Sequence, residues 1–139
     1  MITEDYCSFE VAKLLKEKGF NEEIETIISP DGKIYHLDEV GVFRIPHKKI
    51  RNSDINIYME DCSCPTLQMA LRWLREVHKI NINILYDAQR FVKTDGTTED
   101  VDVYEVDIIT KNGSIYIGNY NHYESACEAA IKYCLTNLI

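Results

Sequence analysis

The sequence predicts an α+β fold in which a mostly antiparallel, hairpin-built sheet carries three helices on one face. Three observations lead there. Three segments space their apolar residues as helices do, the stretches between them tend to alternate apolar with polar residues, and two turn sequences, Pro30-Asp31-Gly32 and Asn112-Gly113, join neighbouring stretches as hairpins. The expected order is α-β-β-(β)-α-β-(β)-β-β-α, in a single domain spanning residues 1–139.

Ser8 precedes a segment in which Val11, Ala12, Leu14 and Leu15 share one face, and Gly19 follows where a left-handed cap belongs, so the first helix spans residues 8 to 18. Ile24 to Ser29 and Lys33 to Leu37 flank Pro30-Asp31-Gly32, whose proline presets the turn and whose glycine takes a positive φ. A three-residue loop would pair Ile28 with Ile34 and Ile27 with Tyr35. Val40 to Ile45 offers a third short strand, and the alternation around Ile55, Ile57 and Met59 offers a brief edge strand within a long loop.

Pro65 to His78 gives the strongest helical signal, with Leu67, Ala70, Leu71, Leu74 and Val77 in one stripe and Met69 and Trp73 on its flank. Ile80, Ile82 and Ile84 then alternate with asparagines as a strand buried on one face, and a short strand near Phe91 and Val92 precedes an Asp95-Gly96 turn. Val101 to Thr110 and Ser114 to Tyr120 flank Asn112-Gly113. A two-residue loop there would set Thr110 against Ile115, Ile108 against Ile117 and Val106 against Asn119. It puts Tyr104, Val106, Ile108, Ile115 and Ile117 on the core face, and Glu105, Asp107, Gly118 and Tyr120 on the other. The last helix, Tyr123 to Asn137, buries a stripe of Ala126, Cys127, Ala130, Ile131, Cys134, Leu135 and Leu138. Asn121 with Glu124, or Ser125 with Glu128, would supply its capping box.

Composition narrows the function classes. With 23 acidic against 15 basic residues the formal net charge is -8, which opposes a nonspecific grip on phosphates and docking on an anionic membrane. No apolar run approaches the roughly 20 residues that span a bilayer. The five cysteines are odd in number, and the start Met1-Ile2-Thr3-Glu4-Asp5 is not a secretory leader, so reduced thiols in a cytoplasmic protein are expected.

Cys64, in Cys62-Ser63-Cys64-Pro65, is the best candidate for a reactive residue, because a thiol at a helix N-terminus can ionise more readily. The competing reading is a small loop cysteine, since no neighbouring His or Asp completes a nucleophilic site. The Cys-X-Cys spacing lacks the second ligand pair of a zinc site, and Cys127 and Cys134, seven apart, read as core. Glu99, Asp100, Asp102, Glu105 and Asp107 lack the spacing of a calcium loop and read as a charged sheet edge. His36, His47, His78 and His122 are dispersed. Tyr116, Tyr120 and Tyr123, among nine tyrosines, suit an aromatic contact surface or half-buried sheet positions. No phosphate-binding glycine loop, nucleophile elbow or zinc-protease motif occurs, so no catalytic, cofactor-binding or metal-binding residue is assigned.

Two resemblances bear on function. Pro65 to Ile139 reads α-β-β-β-α, and Glu124-Ser125-Ala126-Cys127-Glu128-Ala129-Ala130-Ile131 resembles the alanine-rich last helix of double-stranded RNA-binding domains. That family holds phosphates with lysines at the start of this helix, where this chain has Glu124, Ser125 and Glu128, so the likeness implies a module whose nucleic-acid binding is lost or altered. Ser8 to Phe20, Pro65 to Val77 and Tyr123 to Ala130 together resemble an uncharacterised family of small proteins from Bacteroides-type gut bacteria and their phages or mobile elements. That resemblance implies a phage or mobile-element context and no catalytic residue. The expectation is a small accessory protein acting by contact with a protein partner, itself included, with a thiol enzyme built on Cys64 as the alternative.

Overall fold

The computed structural model describes residues 2–37, 49–55 and 59–139. The α+β class and the element order hold. Helix α1 (Phe9–Glu17) is followed by strands β1 (Thr26–Ile28), β2 (Ile34–His36) and β3 (Cys62–Ser63), then α2 (Leu67–Val77), β4 (Asn81–Val92), β5 (Thr98–Thr110), β6 (Gly113–Tyr120) and α3 (Tyr123–Asn137). The strand expected at Val40 to Ile45 lies outside the described residues, and so does most of the Ile55 to Met59 segment. The two strands expected around Ile82 and Phe91 are one. Nothing between them, from Leu85 to Arg90, is a glycine or proline that would break the ladder.

The strands form two antiparallel sheets, β2-β1-β3 and β4-β5-β6. In the small sheet β1 and β3 are buried on both faces while β2 is half-buried, which suits the unbroken apolar pair in β1: Ile28 packs with Ala12 of α1, Cys62 and Cys64, while Ile27 packs with Ile50 and Ile55. Its hairpin has the expected pairs Ile28 with Ile34 and Ile27 with Tyr35. The larger sheet has one covered face. Helix α3 lies across β4, β5 and β6, flanked by α1 and α2, and Ala126, Ala130, Ile131 and Leu135 meet Val106 and Ile108 in a fully buried core.

The caps define the helices. The Ser8 hydroxyl accepts from Val11 N–H, and the Thr66 hydroxyl accepts from Met69 N–H at 3.2 Å. The expected capping box of α3 does not form, because His122 is its N-cap without a side-chain bond. Glu128 instead reaches α1, accepting from Ser8 N–H at 2.7 Å and from Ser8 Oγ at 2.9 Å, and Lys132 meets Glu10 at 2.7 Å. These contacts fix α3 along α1. At the end of α2, Lys79 takes a positive φ of 57°, and Ile80 N–H donates to the Leu74 carbonyl, turning Ile80 onto the core. Ile80 is buried, whereas Val77, expected in the apolar stripe of α2, is 54% exposed.

The Asn112-Gly113 hairpin is present, but its register differs from the expectation by two residues. Thr110 pairs with Gly113 and Ile108 with Ile115. A type I′ turn would need positive φ at both Asn112 and Gly113, and here it falls on Gly113, at 120°, so Lys111 and Asn112 make the turn. A slip of two keeps every side chain on its face. A bulge then intervenes: Asp107 pairs with Tyr116 but Val106 with Gly118, so Ile117 is the extra residue. That single insertion reverses the phase beyond it. Tyr120 therefore packs on the core opposite Tyr104, where the sequence reading had put it on the outer face.

Candidate functional site

Cys64 does not begin a helix. Thr66 caps α2, and Cys64 sits beside β1, where its N–H donates to the Thr26 carbonyl and its own carbonyl accepts from the Thr26 hydroxyl. The side chain is 0% exposed and its Sγ points to the Cys7 carbonyl at 3.3 Å. Burial, reinforced by the Glu128 carboxylate, pushes the thiol up to about 12. This is the reverse of an activated nucleophile.

Cys64 does line a cavity of about 210 Å³ with His36, Tyr6 and the glutamates Glu4, Glu23 and Glu25. The residue types of a thiol enzyme thus converge, yet among the described residues no hydrogen bond joins His36 to Cys64. His36 stacks edge-on to Tyr6, with ring centroids 5.9 Å apart, and Glu23 is paired with Arg51 at 3.1 Å. The cavity is also smaller than the roughly 300 Å³ at which small-molecule sites begin. Among the described residues no group of three His, Cys, Asp or Glu side chains is placed to hold a metal.

The other candidates separate. Cys127 and Cys134 are core residues, as expected. Tyr120 and Tyr123 pack on the core, and of that trio Tyr116 is exposed. His78 caps α2, packs against Trp73 at 4.6 Å between centroids and keeps a buried Nε2 with no hydrogen-bond partner among the described residues; His47 lies outside the described residues. Sequence reasoning missed Asn52, a buried side chain that donates to the Phe20 carbonyl at 2.7 Å and accepts from Ser63 N–H at 2.9 Å. Both partners are remote in sequence, so no local signal marked it.

The largest departure from the sequence reading concerns the five carboxylates of β5. That strand is not a sheet edge throughout, because β5 lies between β4 and β6 from Tyr104 to Thr110. Beyond Tyr104 it has β4 alone beside it, among the described residues, and the two strands run on as a ribbon of about 20 Å closed by the Asp95-Gly96 turn. On this arm the acids have partners across the ribbon: Asp100 binds Arg90 at 2.8 Å, Asp102 accepts from Tyr86 at 2.8 Å, and Glu99 meets Lys93, one residue past β4, at 3.5 Å.

From the last pairs of the three-stranded region out along the arm, β4 carries apolar side chains in water. Leu85 is 54% exposed, Tyr86 59%, Phe91 50% and Val92 74%, all on β4. Among the described residues β4 is an edge strand; such a strand with exposed apolar residues is often blunted by a bulge, a proline or a lysine, and β4 keeps one register over all twelve pairs, contains neither proline nor lysine, and has Asp87 and Arg90 as its charged residues. The short β6 edge, by contrast, carries the bulge and Gly118. An unprotected strand of this kind binds other chains by adding them to the sheet. No described helix is long and apolar enough to cross a membrane. No protein-family model matches the chain, and no curated protein or solved structure matches it.

Proposed function

We propose that this chain is a small accessory protein of a phage or mobile element, working in the cytoplasm through protein–protein contact made by the β4–β5 arm. The observation that carries this reading is the exposure of Leu85, Tyr86, Phe91 and Val92 on an unblunted edge strand. Burying these side chains in the protein's own body would have been favourable by roughly 1.5–3 kcal/mol for each aliphatic or phenyl group, so an arm that holds them in water gains that energy on meeting a partner. Five unpaired thiols support a reducing compartment, and the resemblance noted in the sequence supports the mobile-element setting. The raised pKa of Cys64, which keeps the thiol protonated, weighs against the thiol-enzyme alternative.

The test is a photo-crosslinking amino acid placed at Phe91 in producing cells, with one at the exposed Glu76 of α2 as control. Adducts to a protein, whether another chain or a second copy, are expected from position 91 and not from 76. Absence of adducts at 91 would refute the reading.

A further inference from the structure

We propose that the partner of the β4 edge is a second copy of this chain, paired antiparallel about a two-fold axis at Ala88 to make one continuous six-stranded sheet. This rests on the reading of the arm as an interaction surface and names what covers it.

The backbone sets which atoms are available. Lys93 N–H donates to the Thr97 carbonyl at 2.8 Å, one step beyond the pair Val92 with Thr98. Amides alternate in direction along a strand, so Phe91, Gln89 and Asp87 also point theirs at β5, and those of Tyr86, Ala88, Arg90 and Val92 point outward from the sheet. A two-fold at Ala88 brings outward-pointing residues opposite one another: Ala88 faces its copy, Tyr86 faces Arg90, and Ile84 faces Val92. Each of these pairs can exchange two backbone hydrogen bonds.

The side chains select this register. On the outer face it sets Leu85 against Phe91 and Asp87 against Gln89. On the inner face it sets Val92 against Ile84, which already packs on the core beside α2 and α3, and it lays the Tyr86 ring beside the Arg90 guanidinium. All four exposed apolar residues of β4 thereby gain an apolar or cationic partner, and no like charges face each other. Neighbouring registers fail that test. Centring on Asp87 opposes Asp87 to its own copy and Phe91 to Asn83, and centring on Tyr86 opposes Leu85 to Asp87 and Ile82 to Arg90. The opposite edge of the arm, along Thr98 to Val103, bears Glu99, Asp100 and Asp102 and would repel a second copy. Because the two-fold stands perpendicular to the sheet, the helices of both protomers cover the same face.

Sedimentation equilibrium of the purified protein at about 0.1 mM is expected to give a dimer, and the double variant Leu85→Ser with Phe91→Ser, with unchanged circular dichroism, to weaken it at least about tenfold. Register is tested by cysteine scanning. Paired strands place Ala88 and its copy about 5.5 Å apart between Cα atoms, within disulfide reach, so Ala88→Cys forms an intermolecular disulfide under mild oxidation and Arg90→Cys does not. A monomer at that concentration, or a dimer crosslinked from Arg90→Cys and not from Ala88→Cys, would overturn the proposal. A monomer whose position 91 still crosslinks to a different protein in cells would overturn self-pairing and leave the arm's role as a contact surface standing.

Discussion

At the scale of single residues, the cysteines set how stability responds to pH. Burial raises the thiols of Cys64 and Cys134 to about 12 and of Cys127 to about 11, and it raises Cys7 as well, from an ordinary value of 9.0. A group that holds its proton more tightly when folded contributes stability fully below its unfolded pKa and loses it as pH climbs towards the folded value. Each thiol that ionises only on unfolding therefore costs about 1.4 kcal/mol per pH unit above 9. The urea midpoint at pH 10 should fall clearly below that at pH 8; equal midpoints would show that these thiols are not held protonated by the core. Part of this was legible in the sequence, since the seven-residue spacing of Cys127 and Cys134 puts both on one apolar helical face. Cys64 was misread because Pro65 looks like a helix start. The deciding partner, Thr26, lies in a strand paired across the fold, and nothing local to Cys64 announces it.

At the scale of elements, caps and turns decided what periodicity could not. Lys79 adopts a left-handed conformation that an L-residue with a side chain enters at a cost of roughly 1 kcal/mol, and its ammonium recovers some of that through the Glu76 carbonyl at 2.8 Å. Lys79→Gly should raise the denaturation midpoint by about 0.5 kcal/mol in stability, and a loss of stability would mean that the lysine contact outweighs the backbone strain. The helices were readable from their stripes to within a residue or two, because core burial imposes the period. The hairpin between β5 and β6 was readable in place but not in register. Asn112-Gly113 fits two turn geometries that differ by two residues, and the choice between them conserves the buried face, so the hydrophobic pattern is silent about it. The bulge at Ile117 gave a fainter clue in Gly118, whose φ of 140° suits a backbone a side chain would resist.

At the scale of the molecule, two sheets do different work. The small one has its central strand covered on both sides, by α1 and by the segment around Ile50 and Ile55, whereas the larger one buries its inner face and then overruns its helical cover. That overrun is part of what the sequence concealed: Tyr86 and Val92 share the covered face with Ile84 but lie beyond the helices, whereas Leu85 and Phe91 lie on the face that carries no described helix, and neither the reach of the helices nor the open face is encoded in pattern alone. On the proposal above, the outer edge of β4 pairs with a second copy. Amide hydrogen exchange at Tyr86, Ala88 and Arg90, followed at low and high protein concentration, tests it most directly, with the β5-facing amides of Asp87, Gln89 and Phe91 as internal reference. The three outward amides should become protected as concentration rises while the reference amides stay protected throughout; outward amides that exchange at the rate of an open chain even at high concentration would rule out the pairing.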